Sequence, residues 1–180
     1  MIVLDIETTG TDPRVHSIIS IGAIELENPD NRFYEECRIF PEAHIEEKAL
    51  EITGATREDI TDPSRKSDKD IVEDFFAWMS EVPERTIAGH NTHFDVGFLT
   101  EAAHRYHLEN PLAHRLIDLH SLAYLHMIQK GMTPPVDPKH GHTALSSQVA
   151  EAYTGIPAEP HPHVAINGAL YEAEAISRIL

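Results

Sequence analysis

The first ten residues, Met1–Gly10 (MIVLDIETTG), combine an apolar run with two carboxylates and a turn. Residues 2–4 are apolar, as in a buried strand, and Thr8-Thr9-Gly10 is typical of the turn that ends one. Side chains two positions apart in a strand share a face, so Asp5 and Glu7 are predicted to project side by side. Two carboxylates this close repel each other unless a cation neutralises them, or they lie at a solvated strand end. The motif alone leaves both alternatives open.

Beyond this stretch, strand-like runs come first and helical patterns follow. Three successive strands indicate an antiparallel meander, and the later alternation of strands with helices indicates parallel strands. We therefore expect an α/β fold, a mixed β-sheet flanked by helices, in one domain covering residues 1–180. The predicted strands are 2–6, 17–27, 32–40, 86–88 and 115–117, and the predicted helices are 46–52, 68–80, 94–106, 119–129, 143–153 and 164–180.

Composition narrows the class of protein. Fourteen Lys and Arg against thirty Asp and Glu give a net charge of −16, and no basic stripe of the kind that grips long nucleic acid is present. The acidity indicates either plain solubility or short, metal-mediated contact with polyanions, which favours single-stranded ends over a duplex. With one cysteine, Cys37, no intramolecular disulfide can form. No apolar run approaches the roughly 20 residues of a membrane span, and no signal peptide is evident, so we expect a cytoplasmic protein without a membrane partner.

The second polar segment is Gly89–Asp95 (GHNTHFD), where a short strand passes into a helix. Strand ends of this kind are where sheet-and-helix proteins bind ligands. Asn91, Thr92 or Asp95 could instead cap the helix, and Phe94 could belong to the core. In a similar position after a later strand, Asp118 is predicted to cap the helix that follows it.

The third segment, His161-Pro162-His163-Val164-Ala165, opens the last helix. An imidazole with an ordinary pKa of about 6.5 suits the removal of a proton from bound water. The chain holds thirteen histidines, however, so a surface or capping role is also open. The pairs His140-x-His142 and His161-x-His163 have the form of zinc ligands, but no partners at structural-zinc spacing accompany them.

Taken in order, these three segments resemble the motifs of the DnaQ-like (DEDDh) 3′→5′ exonuclease family. Asp5–Gly10 is similar to the first motif, His90-Asn91 through Phe94-Asp95 to the second, and His163-x-Ala165 to the third. The resemblance implies a ribonuclease H-like fold and two bound Mg²⁺ or Mn²⁺ ions. It also implies release of nucleoside monophosphates from the 3′ ends of single-stranded DNA, RNA or short oligonucleotides. A polymerase or a second copy of the chain would be candidate protein partners.

The resemblance also implies roles for individual residues. Asp5 would bridge both metals, Glu7 would bind one of them near the 3′ end, and Asp95 would support the second. His163 would activate the attacking water. Candidates for holding the terminal nucleotide are Thr8, Thr9, Ile18, Asn91 and Phe94.

One position departs from the family pattern. The third motif should end with an Asp five residues after the catalytic His, and this chain has Gly168 there. Three interpretations compete: a metal ligand has been lost, a neighbour replaces it, or the helix is altered or aligned differently. Glu172 is the best replacement, because positions four apart share a helix face and side chains lean toward the helix N-terminus. Asn167 is a weaker ligand, and Glu172 could instead face the sheet edge.

Three functional hypotheses therefore remain at this stage. The first is an active 3′→5′ exonuclease, and the second is a weakened exonuclease fold that binds nucleic-acid ends or a polymerase-like partner. The third is a phosphoesterase that acts on small nucleotides. The sequence does not choose between DNA and RNA, or between proofreading, repair and oligonucleotide scavenging.

Overall fold

The N-terminal run lies at the centre of a five-stranded sheet in a computed structural model that describes residues 1–180. The sheet order is β3-β2-β1-β4-β5. β1 pairs antiparallel with β2, and β2 with β3, whereas β1–β4 and β4–β5 are parallel. The predicted mixed sheet, a three-strand meander extended by parallel strands, is therefore confirmed. The strands are β1 (Ile2–Thr8), β2 (Ile18–Glu25), β3 (Arg32–Glu36), β4 (Ile87–Gly89) and β5 (Leu116–Asp118).

Seven helices cover the sheet, and none of them is long and apolar enough to cross a membrane. They are α1 (Glu47–Thr53), α2 (Arg57–Thr61), α3 (Asp68–Glu81), α4 (His93–Tyr106), α5 (Leu119–Gln129), α6 (Ser147–Tyr153) and α7 (Ala165–Ile179).

Three differences from the sequence-based prediction exceed two residues, and each has a local reason. The prediction missed α2, a short helix begun by a reciprocal capping box between Thr56 and Asp59. The helix predicted from residue 143 begins only at Ser147, because the Ser146 side chain caps it there. The third strand ends at Glu36 rather than at residue 40, since the backbone N–H groups of Arg38 and Ile39 donate to the carbonyl oxygens of Lys66 and Ile60 instead of to β2.

The two faces of β1 serve different purposes. Ile2, Leu4 and Ile6 pack into the core that β1 shares with α3 and α4. Val3 points the other way, into a core formed with α5, α6 and α7. Because alternate residues share a face, Asp5 and Glu7 follow Val3 onto the side of the sheet that α7 covers.

A glycine brings α7 unusually close to that face. Gly22 of β2 is the register partner of Asp5, and a Cβ on Gly22 would lie 2.2 Å from the backbone carbonyl carbon of Ala165. Only glycine permits this approach. The first turn of α7 therefore crosses the sheet directly beside Asp5, which places Gly168 against the acidic end of β1.

Candidate active site

Four carboxylates from three parts of the chain gather where β1 and β4 end. Asp5 and Glu7 come from β1, Asp95 from the first turn of α4, and Glu172 from the middle of α7. Asp95 is buried and its Oδ1 accepts a hydrogen bond from the Ile6 backbone N–H at 3.0 Å. Glu172 is also buried, and its Oε2 accepts from the His90 backbone N–H at 3.0 Å. The backbone at the strand ends thus fixes two of the four side chains.

Burial and mutual repulsion dominate the electrostatics of this cluster. Burial, reinforced by the charges of Glu172 and Asp95, raises the pKa of Asp5 well above its ordinary range. The pKa values of Asp95 and Glu172 are likewise raised well above their ordinary range, chiefly by burial, although backbone hydrogen bonds partly offset this. Burial and then the charge of Glu159 raise the pKa of Glu7 to about 7. The strongest charges acting on all four groups are negative, so the cluster gains from a cation.

Gly168 faces this cluster directly. A Cβ on Gly168 would lie 2.1 Å from Asp5 Oδ2, so the Asp5 carboxylate occupies the space in which a side chain at position 168 would begin. Glu172 does not fill that space, because its carboxylate is bound to the backbone at the end of β4. It faces inward, however, rather than toward the sheet edge. Glu172 therefore adds a fourth carboxylate beside Asp5 and Asp95 from a different direction than an Asp at position 168 would.

The donor set fits a hard divalent cation in its chemistry. Carboxylate oxygens are the ligands that Mg²⁺ and Mn²⁺ prefer, and a bound cation would relieve the repulsion among these buried groups. As the side chains stand, no three His, Cys, Asp or Glu residues form a group that could hold a metal ion. The residues thus fit the ion in type and charge, while their arrangement is not that of a finished coordination shell.

His163 and Glu7 line the same cavity of about 230 Å³. The His163 backbone N–H donates to the Ile52 carbonyl oxygen at 3.0 Å, which ties the start of α7 to α1. On the ring, Nδ1 lies 3.5 Å from Glu159 Oε2, whereas Nε2 is buried and has no hydrogen-bond partner. A buried ring nitrogen without a partner beside acidic groups is available to accept a proton from a water molecule.

The five residues predicted to hold a nucleotide fall in different places. Thr8 and Phe94 line a cavity of about 320 Å³ together with Glu7. Ile18 and Thr9 are buried, and the Thr9 hydroxyl donates to the His44 carbonyl oxygen, so that hydroxyl is already engaged. Asn91, which has a positive φ of 56°, lines a separate cavity of about 720 Å³.

Sequence reasoning missed two residues that line the cavity of Thr8 and Phe94. They are Lys48 and Ile52, on α1. The stretch ALEITG (residues 49–54), which resembles the family's segment between the third strand and the next helix, was the available signal for Ile52, whereas Lys48 lies outside it. Lys48 contributes a cation to this otherwise acidic region, and Ile52 contributes an apolar wall.

The structure also shows which of the candidate residues cap their helices. Thr92 is the N-cap of α4, but its hydroxyl donates to the Gly89 carbonyl oxygen rather than capping the helix. Asp118 accepts from the His120 backbone N–H at 2.9 Å, which confirms the predicted cap of α5. A second oxygen of Asp118 accepts from the Thr92 backbone N–H. Neither Asn91 nor Asp95 is the cap residue.

Sequence comparison identifies relatives over most of the chain. A family model described as an RNase_T exonuclease matches residues 2–149. The PolC-type DNA polymerase III of Thermotoga maritima is 35% identical over 98 residues, which are 54% of this chain and 7% of that protein. The DNA polymerase III subunit epsilon of Rickettsia typhi is 37% identical over 102 residues, which are 54% of this chain and 42% of that one. The chain thus spans less than half the length of these relatives, and the family match ends before His163.

Solved structures share the whole fold. Escherichia coli Exonuclease I in complex with a dA16 oligonucleotide superposes with a TM-score of 0.75 at 18% identity, covering 99% of this chain and 40% of that one. The nuclease domain of 3′hExo, a DEDDh family member bound to rAMP, superposes with a TM-score of 0.72 at 16% identity, covering 98% of this chain and 89% of that one. These likenesses confirm the predicted ribonuclease H-like fold.

Proposed function

Because the chain belongs to the RNase_T exonuclease family, we propose that it is a metal-dependent 3′→5′ exonuclease that releases nucleoside monophosphates from single-stranded ends. One observation carries the proposal: Asp5, Glu7 and Asp95 gather at the strand ends, and His163, whose Nε2 has no hydrogen-bond partner, lines the same cavity as Glu7. Paired carboxylates and a proton acceptor are the groups that phosphodiester hydrolysis requires.

Asp5, Glu7 and Asp95 would hold the divalent ions, Mg²⁺ or Mn²⁺, and Glu172 would supply the fourth carboxylate in place of the residue missing at position 168. Bound there, such ions stabilise the negative charge that develops on the phosphate and on the leaving oxygen. Without Glu172, the carboxylates of Asp5 and Asp95 would lose a buried neighbour that could bind the same ions.

The protein side chains account for the remaining steps. His163 Nε2 accepts a proton from a water molecule, whose oxygen then attacks the phosphorus of the terminal phosphodiester. The bond between phosphorus and the 3′ oxygen of the shortened strand breaks, and that oxygen takes a proton from solvent. The cavity beside Glu7 would receive the terminal nucleoside, with Phe94 and Ile52 as apolar walls for the base and Lys48 as a nearby cation.

The acidity of the chain agrees with contact over only a few nucleotides. A protein that neutralises many phosphates carries many Lys and Arg residues, and this chain has 14 against 30 acidic residues. We therefore place single-stranded DNA or RNA ends and short oligonucleotides ahead of long duplexes as substrates. Two of its relatives are polymerase III proteins by name, so a polymerase is the first protein partner to test.

The second candidate is a weakened exonuclease fold that binds ends without cutting them efficiently. The observation that favours it is the Asp5 carboxylate lying where a side chain at Gly168 would begin. In that arrangement the Asp5 carboxylate occupies the space of the absent side chain, which would weaken its hold on a divalent ion.

Incubation with 5′-labelled single-stranded DNA and RNA in Mg²⁺ or Mn²⁺ tests the proposal. We expect a ladder that shortens from the 3′ end, is lost in Asp5→Ala, and is unchanged in Asp30→Ala, an exposed turn residue far from the site. No cleavage by wild type, with cleavage appearing in Gly168→Asp, would establish the weakened enzyme instead. Hydrolysis of a small nucleotide phosphodiester without any ladder would favour the third hypothesis.

A further inference from the structure

The segment between α6 and α7 carries two titratable residues that face each other, Glu159 and His163. Glu159 Oε2 lies 3.5 Å from His163 Nδ1, and Glu159 Oε1 accepts from the Val164 backbone N–H at 3.3 Å. The Glu159 side chain is only 9% exposed. A single, largely buried carboxylate thus contacts both the ring of His163 and the backbone of the next residue, immediately before α7 begins.

Both ends of this segment are anchored, so the contact is not an accident of a free loop. On one side, His163 is bonded through its backbone N–H to Ile52, and Pro162 packs against Gly54 at the end of α1. On the other side, Glu159 lies close to Glu151 on α6, and burial, followed by the charge of Glu159, raises the pKa of Glu151. Glu151 is itself buried. The start of α7 is therefore tied to α1, and Glu159 lies close to α6.

We infer that Glu159 is a positioning residue that holds His163 with its proton on Nδ1 and its lone pair on Nε2. A neutral imidazole has one donor nitrogen and one acceptor nitrogen, and the hydrogen bond made by one of them decides the state of the other. The Glu159 carboxylate oxygen 3.5 Å from Nδ1 favours a proton on that nitrogen by its charge, which leaves Nε2 as the acceptor. Nε2 is the ring atom that is buried without a partner. The inference rests on the proposed function, in which this nitrogen takes the proton from water.

A competing role for Glu159 is that of a further metal ligand, since its charge acts on Glu7 and on Asp5. The contacts favour positioning, because one oxygen of Glu159 faces the ring and the other is bonded to the backbone. The two roles differ in a measurable way. Loss of a ligand weakens metal binding. Loss of an orienting carboxylate leaves metal binding intact and changes the tautomer of the His163 ring.

The first test measures the tautomer of the His163 ring directly and does not depend on enzymatic activity. Two-bond ¹H–¹⁵N correlation spectra of the imidazoles should show His163, assigned by its loss in His163→Ala, as the Nδ1–H form in wild type at alkaline pH. Glu159→Gln presents an amide that can donate to Nδ1, so we expect the Nε2–H form to gain population. Glu174→Gln, an exposed residue on α7, is the matched control and should leave the spectrum unchanged. An unaltered His163 tautomer in Glu159→Gln would overturn the inference.

The second test separates the roles kinetically. Glu159→Gln should lower kcat by about 10- to 100-fold with KM changed by no more than about twofold, and Glu159→Asp, which keeps the charge, should recover part of the loss. In a His163→Ala background, Glu159→Gln should not lower kcat any further, because both substitutions act through the same imidazole ring. A further loss there, or Mn²⁺ binding weakened about tenfold, would overturn positioning in favour of a ligand or a fold role. If wild type cleaves nothing, the proposed function fails while the spectra still decide the tautomer.

Discussion

The two halves of the candidate site are built in contrasting ways. Asp5 and Glu7 belong to a central strand that is paired on both sides, so the sheet ladder fixes where they point. His163 and Glu172 belong to a loop and to helix α7, which lies across the sheet, and the Glu172 carboxylate is held at the end of β4 by the bond from the His90 backbone N–H. The strand half fixes the fold, and the helix half carries Gly168, where the resemblance to the family predicts an Asp. The contrast indicates that ancestry and activity depend on different parts of the molecule.

The largest expected effect comes from the strand half. Asp5→Asn removes a charge from the centre of the carboxylate cluster, so we predict at least a 100-fold loss of metal-dependent cleavage, roughly the scale of losing one strong transition-state contact. The same change should raise the thermal unfolding midpoint of the metal-free protein, because it removes repulsion with Glu172 and Asp95. Cleavage assays and calorimetry check both, with Asp30→Asn as the control. A parallel loss of stability and activity would contradict the account.

In the helix half, the largest effect should follow the loss of His163. His163→Ala should lower kcat by roughly 100- to 10,000-fold, the contribution of a general base, and leave Mn²⁺ binding unchanged. Single-turnover cleavage and calorimetric titration of Mn²⁺ measure the two quantities. The exposed His104 on α4 provides a matched control in His104→Ala. If Mn²⁺ binding falls together with kcat, His163 acts on the metal ions instead.

The strand half of the site could be predicted from the sequence better than the helix half. The shared face of Asp5 and Glu7 follows from the two-residue period of a strand, and the place of Asp95 follows from a helix that starts where β4 ends. The sequence did not indicate that, of the two buried residues Thr8 and Thr9, only Thr8 would line the cavity. The register of β1 with β2 shifts between Glu7 and Thr8, and such an irregularity depends on long-range pairing.

The helix half was less predictable because its contacts are made between distant parts of the chain. Glu172 was expected to lean over Gly168, yet Asp5 occupies that space and Glu172 bonds to His90, 82 residues away. Glu159 lies in a loop, where no periodic pattern draws attention to a residue. Helical spacing therefore identified the right residue in Glu172, but the sequence could not give the atom that it contacts.

Stability should depend on pH through the strand half. A carboxyl whose pKa is raised on folding favours the protonated form, so its contribution to stability is complete below its ordinary pKa and is lost as pH rises through the raised value. For Glu7, raised to about 7, the loss spans roughly pH 4.5 to 7 and amounts to on the order of 1–2 kcal/mol after solvent screening. Urea unfolding without metal should show this decline, which Glu7→Gln should flatten. A free energy of unfolding that rises across the same interval would rule out this reading of the site.

The addition of Mg²⁺ or Mn²⁺ should reverse that decline, because a cation favours the ionised carboxylates that high pH produces. We expect the stabilisation by metal to be larger at pH 8 than at pH 5. An equal stabilisation at both pH values would show that the ions bind elsewhere.

The smallest effect should come from Gly168→Ala. The added Cβ would lie 2.1 Å from Oδ2 and 2.8 Å from Cγ of Asp5, so the Asp5 carboxylate must turn aside, whereas alanine favours the helix by about 0.5–1 kcal/mol. We therefore expect a change of less than about 1 kcal/mol in the free energy of unfolding, with a measurable change in Mn²⁺ affinity as Asp5 moves. Gly97→Ala, on α4 with open space around it, is the matched helix control. A decrease of several kcal/mol in the free energy of unfolding would mean that the Asp5 side chain cannot move aside.

The most direct test of the central claim compares wild type with Glu172→Gln on 5′-labelled single-stranded DNA in Mn²⁺. Glutamine can still accept the bond from the His90 backbone N–H, so the fold is kept while the fourth carboxylate is lost. The account predicts a ladder shortening from the 3′ end for wild type and its loss in Glu172→Gln. Wild type without a ladder, or a Glu172→Gln ladder equal to that of wild type, would contradict the claim that Glu172 completes the site.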